Sequence, residues 1–116
     1  MIFGRFKGSR IYLRPGRTDM RKQINGLAIL VKETLGRDPM SGDLFVFCGR
    51  RRNVVKILYW QRTGFCLWMK RVEEERFPWP NTSLEAQEVT REQLLWLLDG
   101  IDFTKAHRTL KYSQVT

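Results

Sequence analysis

Three consecutive guanidiniums, Arg50, Arg51 and Arg52, are the residues whose type and spacing point most directly to chemistry. A guanidinium makes and breaks no bonds at neutral pH. Its planar fork of donors matches a phosphate or carboxylate, so a run of three is built for binding an anion. Lys56 follows closely, Lys70 and Arg71 end a later apolar run, and Arg21 and Lys22 open an amphipathic stretch. A hairpin tip that projects such cations fits phosphates or enters a major groove. The competing reading is a solvated turn kept charged for solubility. For Arg21 and Lys22 that reading is simply the polar side of a helix, and both readings stand.

No set of residues suggests catalysis. Asp38 and Asp43 are isolated, Asp19 stands where a helix cap is expected, and Glu73, Glu74 and Glu75 run together as a solvated patch. The single histidine, His107, lies near the C-terminus, and two separated cysteines do not make a zinc site. Metal-dependent strand transfer needs several carboxylates brought together. The expectation is a protein without catalytic residues, metal or cofactor. Tyr59, Trp60, Trp68 and Phe77 have the rings to stack on bases, but their positions in apolar runs read as core. Trp79, between two prolines, is expected to be partly exposed and to contact a protein partner.

The charge balance supports a polyanion as partner. The net charge is +9, and residues 1–76 carry 17 Lys and Arg against 7 Asp and Glu. Residues 77–116 are nearly balanced, with 4 against 5, so the basic surface belongs to the first two-thirds of the chain. Such asymmetry fits a nucleic acid or an anionic membrane surface. No apolar run approaches the roughly 20 residues that span a bilayer. The N-terminus lacks the pattern of a signal peptide, and two cysteines in that context suggest a reducing, cytoplasmic setting.

The elements that position these cations form one α+β domain over residues 1–103, with a polar, flexible tail expected over 104–116. Leu44 to Arg71 reads as three apolar strands joined by the arginine loop and by Arg62-Thr63-Gly64. Pairing Cys48 with Val54 and Trp60 with Phe65 gives an antiparallel meander with both faces apolar, a sheet that needs cover on both sides. That register sets Cys48 and Cys66 on opposite faces, too far apart for a disulfide. It also brings Arg71 opposite Val54, beside the arginine loop.

Arg10 to Arg14 reads as an N-terminal strand of the same small antiparallel sheet, with an edge as one place for it. Met20, Ile24, Leu27, Val31 and Leu35 line one face of a helix over about 19–35, capped by Thr18 or Asp19 and ended by Gly36. A second helix over about 90–99 starts with Thr90 and Gln93 as a capping box. The first helix is expected on one sheet face. The second, with the Pro-Trp segment, is expected to cover part of the other. Asn81 to Glu88 reads as a loop.

Taken in order, TDMRK (18–22), NGLA (25–28), DPMSGDLFVF (38–47), GRRRN (49–53), KILYW (56–60), GFCLWMKR (64–71), RFPWP (76–80) and LLDGID (97–102) carry a resemblance. The chain resembles the TnpB accessory proteins, the second small open reading frame of IS-66 insertion sequences. Cys48 and Met69 depart from the pattern, standing where a basic or polar residue and a tyrosine are common. The resemblance implies a bacterial mobile element in which a separate, larger protein is the transposase and the small one assists. It carries over no catalytic residues. The combined expectation is a non-enzymatic accessory protein that binds DNA, such as the element ends, through Arg50, Arg51, Arg52, Lys56, Lys70, Arg71, Arg21 and Lys22. The alternative is an adaptor that binds the transposase without touching DNA.

Overall fold

The computed structural model describes residues 8–81 and 87–102. The elements run β1 (Ile11–Leu13), α1 (Ile24–Thr34), β2 (Leu44–Cys48), β3 (Val54–Gln61), β4 (Gly64–Arg71), β5 (Gln87–Val89) and α2 (Arg91–Leu98). The five strands form one sheet in the order β4-β3-β2-β1-β5. This is the expected α+β class, with a helix for each face. The tail expected over 104–116 lies outside the described residues.

The sheet differs from the purely antiparallel one in a single pairing. β1 lies beside β2 in parallel, Ile11 opposite Leu44 and Leu13 opposite Val46, with α1 as the crossover between them. A parallel pair needs such a long connection, because no tight turn can reverse the chain twice. β1 is an inner strand rather than an edge, since β5 pairs with its other side in antiparallel. All three β1 side chains are buried; the arginines that suggested an edge, Arg10 and Arg14, flank the strand without belonging to it. Gln87–Val89 is too short and too polar to read as a strand, and only β1 gives it a partner.

The meander forms as expected from β3 to β4, with Trp60 opposite Phe65 and Arg71 opposite Val54. Between β2 and β3 the register is one residue off the expected one. Cys48 pairs with Val55, and the Gly49 N–H donates to the Val54 carbonyl at 3.2 Å. The loop inside that Gly49–Val54 pair is residues 50–53, closed by the Arg52 N–H on the Gly49 carbonyl at 3.0 Å. A one-residue slip moves every side chain of a strand to the other face, and a strand apolar on both faces does not resist it. Leu44, Val46 and Cys48 therefore join Val55, Ile57 and Tyr59. Phe45 and Phe47 join Leu58 on the opposite side. Cys48 and Cys66 consequently belong to one face, not two, but β3 separates them and both are free thiols.

Leu27 and Val31 of α1 pack on Tyr12, Phe45, Phe47 and Leu58. The Tyr12 and Phe45 rings stack at 5.9 Å, and the Arg37 guanidinium lies 3.9 Å over the Tyr12 ring. On the other face, Leu94, Leu97 and Leu98 of α2 join Phe77 and Trp79 against the strands. Thr90 and Gln93 make the capping box in both directions, at 3.1 and 2.9 Å. α1 starts later than its periodicity suggests, at Ile24, and Gln23 makes no side-chain cap. The chain from Asp19 to Lys22 forms a separate turn, and Asp19 accepts from the Arg21 N–H instead of capping the helix.

Burial predicts the reactivity of the two thiols. Removal from water pushes Cys48 up to about 12, so it stays protonated at neutral pH, and it is fully buried. Under native conditions an alkylating reagent is expected to label Cys66 and to reach Cys48 only on unfolding. Mass spectrometry of the labelled peptides checks this, and rapid native labelling of Cys48 would contradict the packing.

Candidate nucleic-acid interface

β1 and β2 run in the same direction, so the segments that follow them leave the sheet at the same end. The parallel ladder continues beyond the strands: the Arg14 N–H donates to the Val46 carbonyl at 3.0 Å and the Thr18 N–H to the Cys48 carbonyl at 2.8 Å. This zips the 14–18 segment onto the base of the arginine loop. Arg50, Arg51 and Arg52 are exposed there, and so is Arg17 on the neighbouring turn. Arg52 adopts a left-handed backbone conformation with φ of 58°, which turns the loop back within four residues. Such a φ is uncommon outside glycine, asparagine and aspartate, so the loop is held by its closing hydrogen bonds and not by local preference.

Two clefts flank the loop, with Gly49 and Arg50 common to both. One, of about 370 Å³, is lined by Gly16, Arg17, Gly49, Arg50, Arg52, Trp79 and Asn81. The other, of about 610 Å³, runs along Thr18, Asp19, Met20 and Arg21 on one side and Gly49, Arg50, Arg51, Asn53 and Val54 on the other. Gly49 is required by close approach: a Cβ there would lie 2.6 Å from the Met20 Cγ. Gly16, at φ of 79°, allows the Pro-Gly turn that lifts Arg17 beside the loop.

The remaining expected site residues are distributed differently. Lys56 is buried under the turn before α1, and its ammonium donates to the Met20 and Lys22 carbonyls at 2.8 and 2.9 Å. It faces Phe47 and Met69 in the sheet register and clamps the 19–22 turn from below. Lys70 reaches the other face, where it donates to the Leu98 carbonyl at 2.8 Å and satisfies an end carbonyl of α2. Neither ammonium belongs to the exposed basic surface. Lys22 is half-buried, its side chain lying where a Cβ on Gly26 would touch it at 3.2 Å.

Arg21 and Arg71 are exposed but paired, Arg21 with Asp19 at 2.8 Å and Arg71 with Glu73 at 3.1 Å. The hydrogen bonds from Arg21 hold the Asp19 carboxylate well below its usual range, at about 2. Arg17, Arg50, Arg51 and Arg52 take part in neither ion pair. The acidic run leaves the sheet beside them: the Val72 N–H bonds the Asn53 carbonyl and the Phe77 N–H bonds the Arg52 carbonyl, so Glu73–Glu75 loop out along one border of the basic surface.

Trp79 is buried at 6% exposure, contrary to its expected role as an exposed contact. Its indole N–H donates to both the Arg14 and Gly16 carbonyls at 3.0 Å, and the Gly16 N–H donates to the Pro80 carbonyl at 2.8 Å. Trp79 therefore pins the Arg17 turn in place. Arg14 braces the same turn from the other side through the Arg17 carbonyl and the Thr18 hydroxyl, both at 3.0 Å. Arg17 is not among the residues expected at the site. Its signal was the Pro-Gly turn next to it, readable as a site only once the parallel pairing is known.

These features define a small α+β domain with a compact arginine surface at one end of a mixed sheet. Residues 9–108 match the family of IS66 Orf2-like proteins, and the chain belongs to that family. It is similar over nearly its whole length to two uncharacterized proteins of Sinorhizobium fredii. It is 37% identical to y4hO over 106 residues, covering 91% of this chain and 92% of that protein. It is 33% identical to y4jC over 107 residues, covering 92% of each. No solved structure matches. The family places the protein in insertion-sequence transposition, in an accessory role. Among the described residues no helix is long and apolar enough to cross a membrane, and no cluster of His, Cys, Asp or Glu is placed to hold a metal ion.

Two measurements test the roles assigned to the paired and buried charges. Lys56→Met is expected to cost about 1–3 kcal/mol in urea unfolding, because two turn carbonyls lose their donor. A fully stable variant would show that the clamp is dispensable. For Asp19 the folded value lies below the ordinary 3.8, so the ion pair contributes at pH above that value and is lost as pH falls through about 2. A carboxyl NMR titration should give that depressed midpoint, and Arg21→Ala should return it toward the ordinary value.

Proposed function

We propose that this protein assists transposition by binding DNA without catalysing any step, through the surface formed by Arg17 and Arg50–Arg52. One observation supports this most strongly. Four arginines outside the two ion pairs are brought to one end of the sheet by two loops that hydrogen bonds hold side by side. A fixed array of guanidiniums is suited to successive phosphates, which set the position of a protein on a duplex without reading its sequence. Arg21 and Arg71 border the array and join it where a phosphate displaces their carboxylate partners. Trp79, expected to contact a protein partner, is buried and holds the Arg17 turn instead.

The test is a salt-titrated binding assay of the purified chain with element-end DNA, unrelated DNA and RNA. Four neutralised phosphates should give a log–log slope of about −3.6. Arg50→Ala, Arg51→Ala and Arg52→Ala combined should flatten that slope to about −1, leaving Arg17. Binding indifferent to both salt and these substitutions would refute the proposal. Retention of the transposase after nuclease treatment, with no measurable DNA affinity, would establish the adaptor role in its place.

A further inference from the structure

We propose that the outer edge of β4 is a contact surface for a second copy of this chain, the two β4 strands pairing antiparallel about Trp68. β4 ends the sheet, and its eight residues pair with β3 without interruption from Val54↔Arg71 to Gln61↔Gly64. It therefore has no bulge, and it contains no proline. Edge strands are normally shielded by brevity, bulges, proline or charge along their length. β5, at the opposite edge, follows that rule with three residues. β4 has charge only at its last two positions, and one of those, Lys70, is drawn onto α2.

The direction of each backbone group along β4 follows from one hydrogen bond. The Val72 N–H reaches the Asn53 carbonyl at 2.9 Å, which makes that a hydrogen-bonded pair. Alternation then turns Lys70, Trp68, Cys66 and Gly64 toward β3 and leaves Phe65, Leu67, Met69 and Arg71 with outward N–H and carbonyl groups. Among the described residues no strand lies beside them. A two-fold axis at Trp68 matches all four at once: Phe65 with Arg71 of the second copy, and Leu67 with its Met69. Axes shifted by one residue leave an outward group unmatched.

A second copy fits this edge by side chain and by charge. Met69 is 58% exposed in mid-strand, and the pairing covers it with Leu67 of the other copy. The antiparallel arrangement sends the two Arg71 residues to opposite ends, where a parallel one would bring them together. The resulting sheet would be continuous through both copies, with an arginine loop at each end. Strand spacing and rise put the two loops roughly 35 Å apart, close to one turn of B-DNA. Only this spacing argument rests on the DNA-binding proposal; the dimer does not.

Sedimentation equilibrium of the full chain should show a dimer. Met69→Pro removes an N–H that points away from β3, a position where an edge strand tolerates proline. It should raise the dimer dissociation constant at least about tenfold with an unchanged circular dichroism spectrum. Met69→Lys, which leaves the backbone intact, should act in the same direction. Ile29→Lys, at an exposed apolar position on α1, should leave the dimer as it is. A monomer at high micromolar concentration would overturn the proposal, as would a dimer that survives both Met69 variants. A dimer that ignores DNA would refute the DNA reading and keep this one, and a DNA-binding monomer would do the reverse.

Discussion

The parallel pairing of β1 with β2 is the constraint on which the rest of the structure depends. It sets a three-residue strand inside the sheet, sends α1 over one face as the crossover, and gives β5 a partner. Because both strands point the same way, the turn after one and the loop after the other emerge together. The bonds from Arg14 and Thr18 to the Val46 and Cys48 carbonyls extend the ladder into those segments. Antiparallel placement of β1 would have put Arg17 at the far end from Arg50. The candidate surface is thus a product of topology before it is a product of composition.

A sheet covered on both faces also explains how this chain uses its cations. Lys56 and Lys70 project from neighbouring positions of the meander toward opposite layers, and each ends on backbone carbonyls of the segment packed there. A long aliphatic stem can cross an apolar layer while its ammonium satisfies carbonyls that would otherwise be buried without a donor. Trp79 does the converse with a single N–H, donating to two carbonyls of the Pro-Gly turn. These residues hold the loops in place, while the arginines outside the ion pairs present themselves to solvent. Support and candidate surface are divided between different side chains, as a rigid binding site would require.

Membership of the IS66 Orf2-like family and the electrostatics of the chain point the same way. Transposition is a process carried out on DNA, and a net charge of +9 with the excess in residues 1–76 suits that setting. The acidic run at Glu73–Glu75 limits the basic surface on one side, so the positive region is a patch rather than a uniformly basic shell. A patch with a border can orient a polyanion as well as attract it.

By itself the sequence determined the elements with strong periodicity and local signals. The face of α1 from Ile24 to Val31, the Thr90–Gln93 box, the β3–β4 hairpin and the exposed arginine loop all depend on residues near one another in the chain, and each was legible. The basic character and the family were legible for the same reason, since both are carried by residue identity. Tertiary structure alone decided the register of β2, the inner position of β1, the strand at Gln87–Val89, and the fates of Lys56, Lys70, Trp79 and Arg17. Where both faces of a strand are apolar, the hydrophobic pattern is equally satisfied by neighbouring registers, and long-range hydrogen bonds make the choice. Whether a cation meets solvent or a buried carbonyl depends on which segment packs above it, and no spacing along the chain contains that information.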